Sequence, residues 1–465
     1  MARNVAALTL AEATCRVTSV TVTLVLARRL GREGFGRAEF AFNVVLWLVI
    51  LVREGFELFG TREVARHPRR VSVLVRRLLP IRMALAVTLL SGLAALAFLT
   101  LSRPLDRAVL CLYGLLLITT AAGLDFVFRG LERMSLIAVS LVIRTGVYAT
   151  CAMSLVRGPE SLALVPTCLV VGEALGISLV WAAYVRGFGW PRPPDLGTLA
   201  RFARKQLRRA RSTYVIPLSQ ALLGSIDLVI VGLLSLWVDV GLYSAPHRLV
   251  AALLTFGLIM QQAAFPGLAR SWRSSPSAGR AALDRLVRLL MIALVPLAVG
   301  GTVLAGPLVH WLFRPEYASA SVLLAIGIWR VPLLALAFLY QSARVALVRE
   351  PSGSRWLMLG AMASGPLVAV ATTTGGLVGA VSATVLIALA LAVGGFASLA
   401  REGRAPAWHH HLARPALASL AMVPVCLLLR PVHIVAAVAG GGLAYAVALA
   451  ALGGLNRSVF RTDAS

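Results

Sequence analysis

Apolar stretches long enough to cross a bilayer recur along almost the whole chain, and no other feature constrains its fold as tightly. A spanning helix takes about 20 apolar residues, because the hydrocarbon core is roughly 30 Å thick and a helix rises about 1.5 Å per residue. Fourteen windows meet that need: 5–27, 38–60, 81–101, 108–128, 135–156, 161–184, 213–235, 243–265, 287–311, 319–343, 356–374, 376–400, 415–430 and 432–452. The residues between them are too few to build a soluble domain. Inside a bilayer the backbone must satisfy its own hydrogen bonds, so the spans are expected as helices. The predicted fold class is therefore an all-α polytopic membrane protein of about 14 transmembrane helices. Composition agrees: 59% of residues are apolar and 14% charged, against about 45–50% and about 25% in soluble domains.

The charge is lopsided, with 45 Lys+Arg against 19 Asp+Glu and a net charge of +26. In a soluble chain this would point to nucleic acid, but no soluble basic domain exists here to hold a duplex, so no nucleic-acid partner is expected. The basic residues instead fall in alternate loops. With the N-terminus inside, thirty lie on the cytoplasmic side and nine on the other. Basic loops are retained in the cytoplasm, so both termini are expected there and the protein is expected in the cytoplasmic (inner) membrane. Arg28, Arg29, Arg32 and Arg37 form the one local exception. Glu12 and Arg16 interrupt the first apolar run, which argues against a cleavable signal peptide.

The midpoint divides the chain. Residues 1–184 read as an N-terminal lobe of six helices and 213–400 as a C-terminal lobe of six. Residues 401–465 read as a helical hairpin and tail. Between the lobes, 185–212 places Leu196, Leu199, Phe202, Ala203 and Leu207 on one face and Arg201, Arg204, Lys205, Arg208 and Arg211 elsewhere. That pattern predicts a basic amphipathic linker lying on anionic membrane lipids. The halves echo each other: Gly34-Phe35-Gly36 and Gly241-Leu242-Tyr243 each follow an apolar run and a short turn. Parallel repeats of this kind are a transporter architecture.

Charges within the spans carry the chemistry, since each costs roughly 2.5–3.5 kcal/mol at a helix centre on insertion scales and must face protein or water. The candidate substrate-binding set is Arg16, Arg53, Arg248 and Arg330, and the ion-coupling or charge-balancing set is Asp227, Glu12, Glu54, Glu57 and Glu173. Guanidinium groups stay charged and fork onto phosphate oxygens, so convergent arginines would make a cationic cavity for a diphosphate. A plainer reading stands beside this one. Glu12 with Arg16, and Arg53 with Glu57, are four apart and can neutralise each other. Arg82, Arg144 and Asp125 read as snorkelling or packing residues. Asp227 reads equally as a coupling-cation site and as a helix-start residue bonded locally.

Gly172 and Gly176 flank Glu173 at a spacing that suits close helix packing. The five cysteines are scattered in apolar runs and suggest neither a disulfide framework nor a metal site. His409-His410-His411 reads as a solvated loop. Enzyme signatures such as HExxH, the P-loop and GxSxG do not occur, so a transporter is expected and not an enzyme. No cofactor is called for, and coupling to Na+ or H+ stays open.

Several stretches bear a family likeness: "ARRLGREGFGRAEFAF" (27–42), "REVAR" (62–66), "FRGLERM" (128–134), "IDLVIVG" (226–232), "VGLYSAPHRLV" (240–250) and "LFRPEYASASVLL" (312–324). In their order and spacing the chain resembles the Wzx-type oligosaccharide flippases of the multidrug/oligosaccharidyl-lipid/polysaccharide (MOP) exporter superfamily. The resemblance implies a two-lobed fold with a central cationic cavity and export of a polyprenyl-diphosphate-linked saccharide by alternating access. It implies glycan polymerases or glycosyltransferases as partners. By place, the arginine role of related lipid II flippases falls on Arg16, Arg53 and Arg248, and a seventh-helix cation site falls on Asp227. Leu228 stands where relatives often carry a basic residue. The alternatives are a cation-coupled drug exporter of the same superfamily, disfavoured by the span arginines, and a membrane-bound glycan ligase or polymerase, disfavoured by the short outer loops.

Overall fold

The computed structural model describes residues 2–191, 196–348, 355–431 and 433–453. Pro193 and Pro194, and the side chains of 196–201 and 203–212 on which the amphipathic face of the linker depends, lie outside the described residues, as do the side chains of His409, His410 and His411. Among the described residues the secondary structure is helical throughout: α1 (Ala2–Arg66), α2 (Val71–Thr100), α3 (Pro104–Ala122), α4 (Asp125–Gly130), α5 (Met134–Leu155), α6 (Leu164–Phe188), α7 (Leu196–Leu234), α8 (Trp237–Ser274), α9 (Pro276–Val303), α10 (Ala305–Leu312), α11 (Ala320–Gly327), α12 (Arg330–Val348), α13 (Arg355–Arg401), α14 (Trp408–Leu429) and α15 (Ile434–Ala451).

Among the described residues, twelve helical stretches are long and apolar enough to cross a membrane. Two of them are far too long for one crossing, and both are broken at a glycine. In α1 the break is Gly31 (φ 67°, ψ 179°), and in α13 it is Gly376 (φ 58°, ψ −146°). This region of backbone space is essentially reserved for glycine. The chain doubles back at each break. Glu12 and Arg53 line one cavity, although a straight helix would hold them about 60 Å apart. Likewise, the backbone at Gly360 packs on Leu391 so closely that an added Cβ would lie 2.5 Å from Leu391 Cδ2. Each half of these two helices matches one of the apolar windows. The fold is thus polytopic and all-helical, with twelve continuous candidates where the windows number fourteen.

The chain forms two compact units: Met1–Ser225 with Leu236–Gly241, and Ile226–Ser235 with Leu242–Ser465. In the first, Phe56, Val75, Leu78, Phe126, Phe128 and Tyr184 build a buried core shared by α1, α2, α4 and α6. The two echoed glycine turns meet within this unit. An added Cβ on Gly36 would stand 2.3 Å from Trp237 O, so the backbones touch with no room for a side chain. Two of the four exceptional arginines near the Gly31 turn are also accounted for here. Arg29 donates to the carbonyls of Met153 and Val156 at 2.5 and 2.7 Å, capping the C-terminal end of α5. The negative end of a helix favours a cation there. Arg37 is buried and paired with Glu33 at 2.6 Å and Asp106 at 3.2 Å. In the second unit, α14 and α15 pack on α9 around Met422, Cys426, Tyr445 and Leu449. Tyr445 donates from its hydroxyl to Ile292 O at 2.7 Å.

Candidate functional site

The first unit encloses a cavity of about 320 Å³. Its lining carries four guanidinium groups, from Arg53, Arg82, Arg129 and Arg144. Four carboxylates face them, from Glu12, Glu57, Asp125 and Glu173. Fixed charges of both signs in a membrane protein are stable only where they meet one another or water, and this chamber offers both.

The pairs are specific. Arg53 Nη2 donates to Glu54 Oε1 at 2.7 Å, and its Nε lies 3.8 Å from Glu57. Glu57 is shared with Arg129, whose Nε is 3.4 Å away. Arg144 Nη2 donates to both oxygens of Asp125 at 3.0 and 3.1 Å, and its Nη1 reaches Glu173 at 3.5 Å. Arg53 remains 50% exposed, whereas Arg144 is 16% exposed. Arg53 is therefore the guanidinium best placed to exchange its carboxylate for a ligand.

A broken helix forms one wall. The window 108–128 predicts one continuous helix, but α3 ends at Ala122 and α4 restarts at Asp125. The last carbonyls of a helix have no partner within it, and side chains supply them here. Arg82 donates to Thr120 O at 2.5 Å and Gly123 O at 2.7 Å, and Trp181 Nε1 donates to Ala122 O at 2.9 Å. The Arg82 guanidinium also stands 5.9 Å from the centroid of the Phe126 ring, a cation–π arrangement. The glycine pair of α6 makes room for another arginine. An added Cβ at Gly176 would sit 2.2 Å from Arg144 Cγ, and one at Gly172 would sit 2.5 Å from Arg144 O. The Gly-x-x-x-Gly spacing is thus a slot for the arginine and the helix that carries it.

The second unit holds a separate polar cluster. Asp227 on α7 is fully buried. Its Oδ2 accepts from the Tyr243 hydroxyl at 2.6 Å and from Arg330 Nη1 at 2.9 Å, and its Oδ1 lies 3.7 Å from His247 Nε2. The adjoining space, about 20 Å³, is also lined by Thr384.

The sequence-derived residues thus fall into separate places. Glu12, Arg53, Glu57 and Glu173 line the first cavity, with Glu54 on the flank of Arg53. Arg330 and Asp227 are locked together in the second unit. Arg16 is exposed and Arg248 half-buried, and neither lines these two spaces. The lining of the first cavity is charge-balanced where convergent arginines predicted a cationic one, because Arg53, Arg129 and Arg144 each meet a carboxylate while Arg82 is held by backbone carbonyls. Arg82, Asp125, Arg129 and Arg144 fall outside the sequence-derived set. Gly123 followed two residues later by an acid, a helix stop and restart, is the signal that could have placed Asp125 and Arg129, while Arg82 and Arg144 carry no such local signal.

Against known proteins, the profile of a family described as polysaccharide biosynthesis protein matches residues 1–272. No curated protein matches the chain by sequence. Among solved structures, an inward closed conformation of the lipid II flippase MurJ superposes with a TM-score of 0.71 at 12% identity, covering 98% of this chain and 99% of that one. An inward-facing multidrug resistance MATE family transporter of the MOP superfamily gives 0.68 at 11% identity, covering 83% and 94%. A MOP superfamily transporter from Pyrococcus furiosus, described as having a binding pocket of reverse polarity, gives 0.52 at 10% identity, covering 86% and 92%.

Proposed function

This chain belongs to the polysaccharide biosynthesis protein family, within the MOP superfamily fold, and on that premise we propose that it is a flippase for a polyprenyl-diphosphate-linked oligosaccharide. It would carry a cell-surface polysaccharide precursor across the cytoplasmic membrane by alternating access, with both termini in the cytoplasm. The observation that carries this reading is the half-exposed Arg53 in the lining of a chamber with three further guanidinium groups. A diphosphate offers more oxygens than a carboxylate and forks onto guanidinium, so it competes well for arginines that carboxylates hold in the empty state. Arg53 is the first docking residue in this scheme. Arg16 and Arg248 are further candidate contacts, and Glu12, Glu54, Glu57 and Glu173 are the counter-ions that limit repulsion when no headgroup is bound. Glycosyltransferases and a glycan polymerase are the partners such a cycle implies.

The four lining carboxylates support a second reading, a cation-coupled exporter of the same superfamily. One experiment separates the two. In cells lacking the gene, the flippase reading expects a lipid-linked saccharide to accumulate on the cytoplasmic face. The wild-type gene should clear it and Arg53→Ala should not. Full rescue by Arg53→Ala and by Arg248→Ala together removes the proposed phosphate contacts. A deletion that leaves the saccharide distribution unchanged but sensitises cells to organic cations favours the exporter.

A further inference from the structure

Asp227 is a carboxylate with no exposed surface, and such a group persists inside a membrane protein only with a cation beside it. Resemblance to relatives offers one cation, Na+ from solution. The chain itself supplies another. Arg330 Nη1 donates to Asp227 Oδ2 at 2.9 Å, on the same oxygen that accepts the Tyr243 hydroxyl at 2.6 Å. Tyr243 and His247 come from α8 and Arg330 from α12, while α11 contributes Leu323 and Gly327 and α13 contributes Val381 and Thr384. The space left among them is about 20 Å³, about enough for one water. A Na+ ion entering it would have to share Asp227 with a guanidinium, and like charges in low dielectric repel strongly.

We propose that Arg330 is a tethered cation. It fills the position that a soluble monovalent cation would take at Asp227, so the C-terminal unit binds no Na+. The site beneath it is latent. Without the guanidinium, the oxygens of Asp227, Tyr243 and Thr384 are hard donors of the kind that suit a small cation. The tether also ties the charge to a particular piece of chain. Arg330 is the first residue of α12, directly after a tightened turn in which Trp329 N bonds to Ile326 O at 3.3 Å and Val331 N to Ile328 O at 3.1 Å. Such i→i+3 stretches within a helical run are frequent hinges. Departure of the cation from Asp227 therefore requires movement of α12, whereas a free ion would leave by diffusion. This inference uses no residue of the first cavity and stands or falls apart from the flippase reading.

The test uses purified full-length protein in detergent, with thermal unfolding followed in NaCl, choline chloride or low millimolar guanidinium chloride at matched ionic strength. Wild type should unfold at the same temperature in NaCl and choline chloride. Arg330→Gln should unfold at a lower temperature in choline chloride and regain part of the loss in NaCl or guanidinium, and this gain should vanish in Arg330→Gln/Asp227→Asn. Arg330→Lys, which keeps a tethered charge, should stay insensitive to Na+. Stabilisation of wild type by NaCl that Asp227→Asn abolishes overturns the proposal without any Arg330 variant. An Arg330→Gln protein that folds but responds to neither cation overturns it as well.

Discussion

Arg144 shows how a charge is held inside a lipid-facing bundle. Its guanidinium bridges Asp125 and Glu173, and the missing side chain at Gly176 leaves the space its stem occupies. Removing one member of a buried pair leaves the other charge uncompensated, at a cost of about 3–5 kcal/mol. Arg144→Ala should therefore lower the unfolding temperature of the purified protein sharply. Adding Asp125→Asn should restore part of the loss, and a double variant no more stable than the single would show that the bridge does not hold the site. Sequence reasoning finds the charged residues of the spans one by one, because each is conspicuous against an apolar background. It does not find most of the pairs. Only Arg53 with Glu57 is legible, at helical spacing, while Arg144 with Asp125 and Arg330 with Asp227 join residues far apart in the chain.

At the scale of elements, apolar windows locate the helices well and their interruptions poorly. A window reports how much apolar surface a stretch offers, and a helix that breaks and restarts within the bilayer offers almost as much as an unbroken one. The stop at Gly123 and the turn before Arg330 were hidden for that reason. The break at Gly31 falls in the gap between two windows and that at Gly376 at the first residue of one, and their positive φ marks them as glycine positions. Gly31→Ala and Gly376→Ala should each cost about 1–3 kcal/mol, the range for such backbone strain. Gly92→Ala and Gly394→Ala should be neutral or stabilise by about 0.5–1 kcal/mol, because both are helical with open space where a Cβ would go. Unfolding temperatures of the four variants decide the matter, and an equal response at all four sites would contradict it.

Over the whole molecule, the family match and the MOP fold agree with a multi-pass transporter, and the excess of arginine on one set of loops predicts its orientation. Single cysteines placed in a background without the native five should label by side. One at Arg69, in the turn after α1, should react with a membrane-impermeant maleimide only after the cytoplasmic face is opened. One at Ser102, between α2 and α3, should react in intact spheroplasts. The reverse pattern would invert the topology. The direct backbone contact of the two echoed glycine turns was not legible, since a repeat pattern carries no information about which copies touch.

The balance of four guanidinium groups against four carboxylates around the first cavity bears on voltage. An electric field acts on net charge, so these eight fixed groups, with a formal sum of zero, give the resting potential little to grip in the empty lobe. A bound diphosphate would change that, since each elementary charge moved across 100 mV is worth about 2.3 kcal/mol. A cell interior held negative would push the loaded anion outward.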